Sequence, residues 1–298
     1  MTLTPRAVVV HRHTEFEELI GRHGTRQQVA FFLNSRGRSL DDVEARHAAQ
    51  QQSLDAVAHA IPMDWRRGDV ERADLSRFVF GPEDVIVAVG QDGLVANVAK
   101  YLGGQVVVGI NPEPERNPGV LVCHRPDATS ALLGQATAAD VGAHVQARVM
   151  VEAMLDDEQR LRALNEIYIG HPSHQSARYR IVVPDGREER HSSSGVLVGT
   201  GTGSTGWCRS AWLERHSTIP LPTHDQPQLC WFAREAWPSP ATGTDCTEGL
   251  VVPGEELVII AESDLVIFGD GIESDALSLT WGQQVSVRIA GQRLHLLA

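Results

Sequence analysis

Lysine is almost missing from this chain: Lys100 is the only one in 298 residues, and arginine supplies nearly all the positive charge. Arginine suits forked contacts to phosphate or carboxylate, but so uniform a replacement reads as a GC-rich coding bias. Positive charge as a whole is short, with 26 Lys and Arg against 38 Asp and Glu and a formal net charge of −12. A general nucleic-acid or membrane-surface binder needs a basic footprint, so neither nucleic acid nor membrane is expected as a partner. Cysteine is sparse and scattered. Cys123, Cys208, Cys230 and Cys246 form no C-x-x-C pair, which suggests neither a zinc site nor a disulfide framework and fits a reducing cytoplasm. No apolar run approaches membrane-spanning length, and the first residues lack the basic segment and apolar stretch of a signal peptide.

What is present is an ordinary globular composition, 42% hydrophobic and 21% charged, in a chain long enough for two domains or one large one. "RAVVVHR" reads as a short strand. Ser39 followed by Asp42 opens a helix running toward Ile61, with Leu54, Val57, Ala58 and Ile61 at helical spacing before Pro62. Val85 to Val89 is a near-continuous apolar run, as in a strand buried on both faces of a parallel sheet. Leu94 to Leu102 predicts a short helix ended by Gly103-Gly104, and Val106 to Ile110 a second buried strand. These make a β-α-β unit, so residues 1–125 are expected to form an α/β layer with its ligand edge at the carboxyl ends of the strands. "INPEPERNPGVLVCHRP" reads as a Pro-rich hinge or loop, and an apolar stripe from Val145 to Leu164 predicts a helix over about 139–164. Beyond it the signals are β: Pro184-Asp185-Gly186 between two alternating arms, then "EELVIIAES", "DLVIFGDG" and "QVSVRIAGQRLHLL". Residues 126–298 are expected as a second, mostly β domain.

Three short constellations carry the polar chemistry. Gly90-Gln91-Asp92-Gly93 stands where a buried strand turns into a helix, a place whose free backbone N–H groups favour anions. An acid there would repel a phosphate unless it had a proton to take or a metal to hold, although Asp and Gly also serve as plain turn formers. Asn165-Glu166 directly precedes an apolar strand and can equally be a helix cap and a surface acid. "GVLVGTGTGSTGW" runs from a strand into glycines and hydroxyls, and Gly201, Gly203 and Gly206 match the dinucleotide spacing G-x-G-x-x-G. A dehydrogenase would need a strand ending in an acid near Asp225, where "STIPLPTHDQPQ" is broken by prolines.

The order of the three resembles the NAD kinase family from about Val85 onward, most closely its mitochondrial-type branch. "GINPEPERNPGVL", "ALNEIYIG", "SSSGVLVGTGTGSTGW" and "WFAREAWPSP" carry the closer match. The resemblance implies the NAD kinase fold, a Rossmann-like or flavodoxin-like α/β N-terminal domain that binds ATP and a β-rich C-terminal domain that binds NAD. It also implies a homodimer or higher homo-oligomer and transfer of the ATP γ-phosphoryl group to the adenosine-ribose 2′-hydroxyl of NAD, giving NADP. Mg²⁺ would be carried by the ATP phosphates, with no protein metal site.

By that resemblance Asp92 is the catalytic proton acceptor, and Gly90, Gln91 and Gly93 line the phosphates. Asn165 and Glu166 hold ribose hydroxyls, Thr202, Gly203, Ser204, Thr205 and Ser210 surround the adenosine end, and Trp207 offers a ring where many relatives have tyrosine. Asp92 is then expected to face Asn165 and the Gly201–Gly206 loop. The family turn G-G-D-G-T is altered here to G-Q-D-G-L. Gln91 would strain a left-handed backbone, and Leu94 cannot donate to a phosphate. Two alternatives follow from those departures: a kinase of another nucleoside or dinucleotide, and a non-catalytic nucleotide-binding regulatory protein. A lipid-type kinase shares the turn but continues T-x-N-E, whereas here Ala96 precedes Asn97 and Val98.

Overall fold

The computed structural model describes residues 4–298. The chain divides into two compact units, one running up to Gln146 and taking back His295–Ala298, the other Ala147–Leu294. The boundary therefore falls at 146/147 rather than 125/126.

In the first unit, β1 (Arg6–His11) is followed by α1 (Glu15–His23), α2 (Arg26–Asn34), α3 (Leu40–Ala60) and β2 (Arg66–Glu71). β3 (Asp84–Val89), α4 (Asp92–Ala99), β4 (Val106–Ile110) and α5 (Thr129–Ala136) complete it. The strands form a parallel sheet in the order β2-β1-β3-β4, to which His295 and Leu296 add beside β4. All six residues of β3 are buried, as a strand covered on both faces requires. One face packs Val9, Val85, Val87 and Val108 against Val57 of α3 and Leu132 and Leu133 of α5. That contact draws residues 126–146 into this unit. α1, α2 and the start of α3 share a smaller core of Leu19, Val29, Leu33, Leu40 and Val43. α3 begins as expected, with the Ser39 hydroxyl accepting from the Asp41 N–H.

The second unit contains β5 (Val145–Leu155), which begins two residues before it, then β6 (Arg160–Ala163), β7 (Glu166–Gly170), β8 (Ala177–Val182), β9 (Glu188–Ser193) and β10 (Gly195–Gly199). After α6 (Trp207–Glu214) come β11 (Leu229–Arg234), β12 (Glu248–Val251), β13 (Leu257–Ala261), β14 (Leu265–Gly269), β15 (Ile272–Leu279) and β16 (Gln284–Leu297). β12-β11-β10-β7-β14-β15 make one antiparallel sheet. β8 pairs with β9 and β13, and β13 with β16. The inward faces meet in one core that includes Ile167, Ile169, Tyr179, Val196, Trp231, Ile259 and Val285. α6 covers the outer face of the first of these sheets, where Leu197, Cys230 and Phe232 meet Cys208 and Ala211.

The helix expected over 139–164 is a β-hairpin instead. β5 and β6 pair antiparallel, Met154 against Arg160, through a turn in which Glu158 takes a φ of 70°. The apolar positions fit helical spacing, but Val149 through Ala153 are buried without interruption, a two-faced burial that a strand inside a sheet provides and a half-exposed helix does not. The Pro184-Asp185-Gly186 hairpin forms as expected between β8 and β9. Among the described residues no helix is long and apolar enough to cross a membrane.

Candidate functional site

Each unit assembles one group of the singled-out residues. In the first, the strand order 2-1-3-4 reverses between β1 and β3, and open α/β sheets bind ligands at the carboxyl ends of strands beside such a reversal. The turn Gly90–Asp92 leaves β3 at that end, and α4 starts at Asp92. Gly90 donates its N–H to the Ile110 carbonyl, which ties the turn to the end of β4.

Gln91 stands before α4 with φ −107° and ψ 166°, extended backbone open to any residue, so the strain expected of a left-handed conformation there does not arise. Its side chain is exposed and makes no capping bond. Leu94 is buried, and a methyl group added at Gly90 would come 3.2 Å from its Cδ2. The departure from threonine thus serves the packing of this unit. Leu94→Thr is expected to cost ~1–3 kcal/mol of stability through lost apolar packing, read as a lower denaturant midpoint. Activity in the same preparation should be equal or higher if the new hydroxyl reaches phosphate.

The Asp92 carboxylate is occupied by backbone. Its Oδ1 accepts from the N–H groups of Leu121 at 2.8 Å and Val122 at 3.0 Å, and both oxygens lie 3.0 Å from the Val120 nitrogen. The Pro-rich segment read as a hinge is therefore pinned at 120–122 by this acid. Gly109 on β4 permits the approach, because a Cβ there would run into the Leu121 carbonyl. Oδ2 keeps a lone pair that no residue in the described chain uses.

In the second unit, Asn165 and Glu166 enter β7 beside the loop that leaves β10. Gly199 pairs with Glu166 in the ladder, and the Asn165 carbonyl accepts from the Thr200 N–H at 2.9 Å. The Thr200 hydroxyl donates to the Leu164 carbonyl at 2.6 Å and accepts from the N–H groups of Thr202 and Gly203. Gly203 must be glycine, since any Cβ there would collide with the Asn165 carbonyl. Ser204 spends its hydroxyl on the carbonyls of Gly201 and Pro222, and Thr205 donates to the Thr202 carbonyl. These two hold the loop's shape. Thr202 differs, because its Oγ1 is buried with no hydrogen-bond partner. Trp207 stacks on Tyr168 at 5.4 Å between ring centres, with the Arg234 guanidinium 5.2 Å from its ring, and Ser210 lies exposed on α6.

Glu166 is the second polar group without a partner. Side chains alternate along β7, so Ile167 and Ile169 enter the core while Glu166 and Tyr168 stand on the outer face under α6. No hydrogen bond reaches the Glu166 carboxylate from the described residues. Burial, and after it the nearby charge of Asp270, pushes its pKa up to about 7. An acid whose folded pKa is raised holds its proton longer in the native state, so stability is lost as pH rises from the ordinary 4.5 through about 7. Glu166→Gln stays neutral throughout. It is expected to melt several degrees above the parent at pH 8, a gain of roughly 1–3 kcal/mol, with a clearly smaller gap at pH 5.

Thr200 and Asp270 were not singled out in the sequence. Asp270, in the turn after β14, accepts from the N–H groups of Leu164, Asn165 and Glu166. Its only sequence signal was the Asp-Gly turn dipeptide. The dehydrogenase alternative fails here, because β10 and β11 flank α6 as antiparallel neighbours, whereas a Rossmann dinucleotide site needs a parallel β-α-β unit.

No family model matches the chain. Among curated proteins, the NAD kinase of Halorubrum lacusprofundi is 30% identical over 234 residues, covering 72% of this chain and 80% of that protein. The NAD kinase of Chlorobaculum tepidum is 28% identical over 143 residues, 47% of each chain. NAD kinase 2, mitochondrial, of Rattus norvegicus is 26% identical over 254 residues, 68% of this chain and 59% of that protein. The chain thus spans about half the length of the last two.

Proposed function

Since the chain belongs to the NAD kinase family, we propose that it transfers the γ-phosphoryl group of ATP to the adenosine-ribose 2′-hydroxyl of NAD, forming NADP. The observation that carries this reading is a pair of polar groups beside one loop, the half-buried Glu166 carboxylate, which no described residue hydrogen-bonds, and the buried, unpartnered Thr202 hydroxyl. A carboxylate that only accepts matches the donors of a vicinal diol, and an orphaned buried hydroxyl marks a place for a polar ligand. In this reading Asn165 and Glu166 bind ribose hydroxyls, and Thr202 and Gly203 meet the adenosine end. Ser204 and Thr205 hold the loop that presents them, while Trp207 packs and Ser210 borders the site.

The phosphate end belongs to Gly90, Gln91 and Gly93: Gly90 spends its N–H on the Ile110 carbonyl and so fixes the turn, while the N–H groups of Gln91 and Gly93 stand at the start of α4. In the transfer, the 2′-oxygen forms a bond to the γ-phosphorus as the bond to the β–γ bridging oxygen breaks. ADP departs with that electron pair, and the hydroxyl proton passes to the free lone pair of Asp92 Oδ2. Among the described residues no three His, Cys, Asp or Glu side chains are grouped to hold a metal ion. The turn offers N–H groups, which suit phosphate oxygens, and a single acid, Asp92; Mg²⁺, when bound, would arrive on the triphosphate and neutralise charge on the transferring group. The reading includes assembly as a homodimer or higher homo-oligomer in the cytoplasm.

A second reading is favoured by one observation, the occupation of Asp92 by three loop amides. In it the acid is a structural clamp, and the chain either binds nucleotide without turnover or phosphorylates another nucleoside or dinucleotide. ATP consumption measured across NAD, NADH and free nucleosides separates the readings. NAD is expected to give the highest turnover, consumption with a nucleoside alone would redirect the substrate, and consumption with none would leave the binding protein.

A further inference from the structure

We propose that Asp270 is a positioning residue for the Asn165–Glu166 pair, and that its charge, added to the burial of Glu166, makes ligand capture through Glu166 change with pH. The proposal rests on the reading of Glu166 as an acceptor of ligand hydroxyls. Asp270 is one of four non-glycine residues with positive φ among the described residues, at 54°. From that conformation its Oδ2 accepts from the Leu164 N–H at 2.8 Å, and its Oδ1 from the Asn165 N–H at 2.7 Å and the Glu166 N–H at 3.3 Å. Its own N–H donates to the Glu166 carbonyl at 3.1 Å. Three of these four hydrogen bonds fix the dipeptide where it enters β7, next to the ladder pair Gly269 and Ile167, and the fourth holds the preceding Leu164. These bonds hold the Asp270 carboxyl beside the half-buried Glu166, where its charge adds to burial in raising the Glu166 pKa.

The other groups facing Glu166 do not offset that charge. From α6, the Cys208 thiol is kept neutral by its contact with the Cys230 sulfur and by burial. Along β7 itself, the Tyr168 phenol donates to the Ser194 carbonyl, and burial raises its pKa. Gly199, the neighbour across the ladder, has no side chain. The ionised Glu166 accepts two hydroxyls, while the protonated form must donate with one oxygen and loses part of that capacity. Affinity should consequently rise with pH through about 7, the value at which Glu166 titrates.

The test is a carbon-13 NMR titration of the ligand-free chain, with Glu166→Gln to assign the signal, joined to calorimetric NAD titrations at pH 6 and pH 8. In the parent the Glu166 midpoint should lie near 7, and NAD should bind roughly tenfold more tightly at pH 8 than at pH 6. Asp270→Asn keeps a residue that tolerates positive φ and removes the charge. Its midpoint should fall by about one unit, and the affinity ratio between the two pH values should shrink to roughly twofold. An unchanged midpoint in Asp270→Asn overturns the proposed coupling, and so does an ordinary carboxylate midpoint in the parent, which decides the matter even if the variant does not fold. A shifted midpoint with pH-independent affinity overturns the link to the ligand. Absence of NAD binding at both pH values, with the midpoint shift intact, would sink the assignment of the site while supporting the Asp270–Glu166 coupling.

Discussion

Asp92→Asn should lower ATP-dependent NADP formation by ~10²–10⁴-fold, the range typical for losing a general base. The thermal midpoint should fall modestly, because neutral acceptors hold the three N–H groups less strongly than a carboxylate does. The introduced amide would keep the oxygen equivalent to Oδ1, which receives all three N–H groups of 120–122, so the turn and the pinned loop survive while the charge and the proton acceptor go. Asp92→Ala is the informative contrast. It strands those N–H groups at ~1–3 kcal/mol for each buried donor left unmet, and should destabilise the protein as well as silence it. Steady-state assays with melting curves on both variants distinguish the two roles. Activity within a few-fold of the parent in Asp92→Asn would mean that the acid is a clamp and nothing more.

Glu166→Ala should weaken NAD binding by roughly 10–100-fold at pH 8, where the carboxylate is ionised. A hydrogen bond to a charged group contributes ~1.5–3 kcal/mol, and each ~1.4 kcal/mol is a factor of ten in affinity. At pH 6 the parent holds most of its Glu166 protonated, so the same substitution should cost less there. The effect on stability runs the other way, because removing a half-buried acid with no partner among the described residues relieves the molecule above pH 7. A variant that melts higher and binds worse is the signature of a group kept for a ligand. Calorimetry at the two pH values is the check, and equal affinities for parent and variant would remove Glu166 from the site.

The sequence was most legible where side-chain type and local spacing determine the outcome. The buried β3, the turn at Gly90–Gly93 and the helix after it follow from an apolar run broken by glycines, and α3 from its Ser39 cap and the spacing up to Ile61. β5 was illegible because its apolar positions satisfy the helical period by coincidence, and only burial on both faces tells the two apart. α1 and α2 are nine residues each, too short for a helical period to stand out, and they gain their core jointly with α3, in Leu19, Val29, Leu33 and Val43. The clamps were hidden for another reason. Asp92 and Asp270 hold backbone amides of residues 120–122 and 164–166, and an amide leaves no mark in a sequence. The residue types thus pointed to Asp92, Asn165 and Glu166, while Thr200 and Asp270, which act on main chain from a distance, became visible only in three dimensions.

The most direct measurement is NADP formation by the purified parent chain with ATP, Mg²⁺ and NAD, followed through an NADP-specific dehydrogenase. NADP should accumulate in proportion to ATP consumed, and Asp92→Asn should abolish nearly all of it. No NADP from a parent that binds NAD, with NADP appearing only when Gln91→Gly and Leu94→Thr are introduced together, would contradict the assignment and show a chain turned away from NAD phosphorylation.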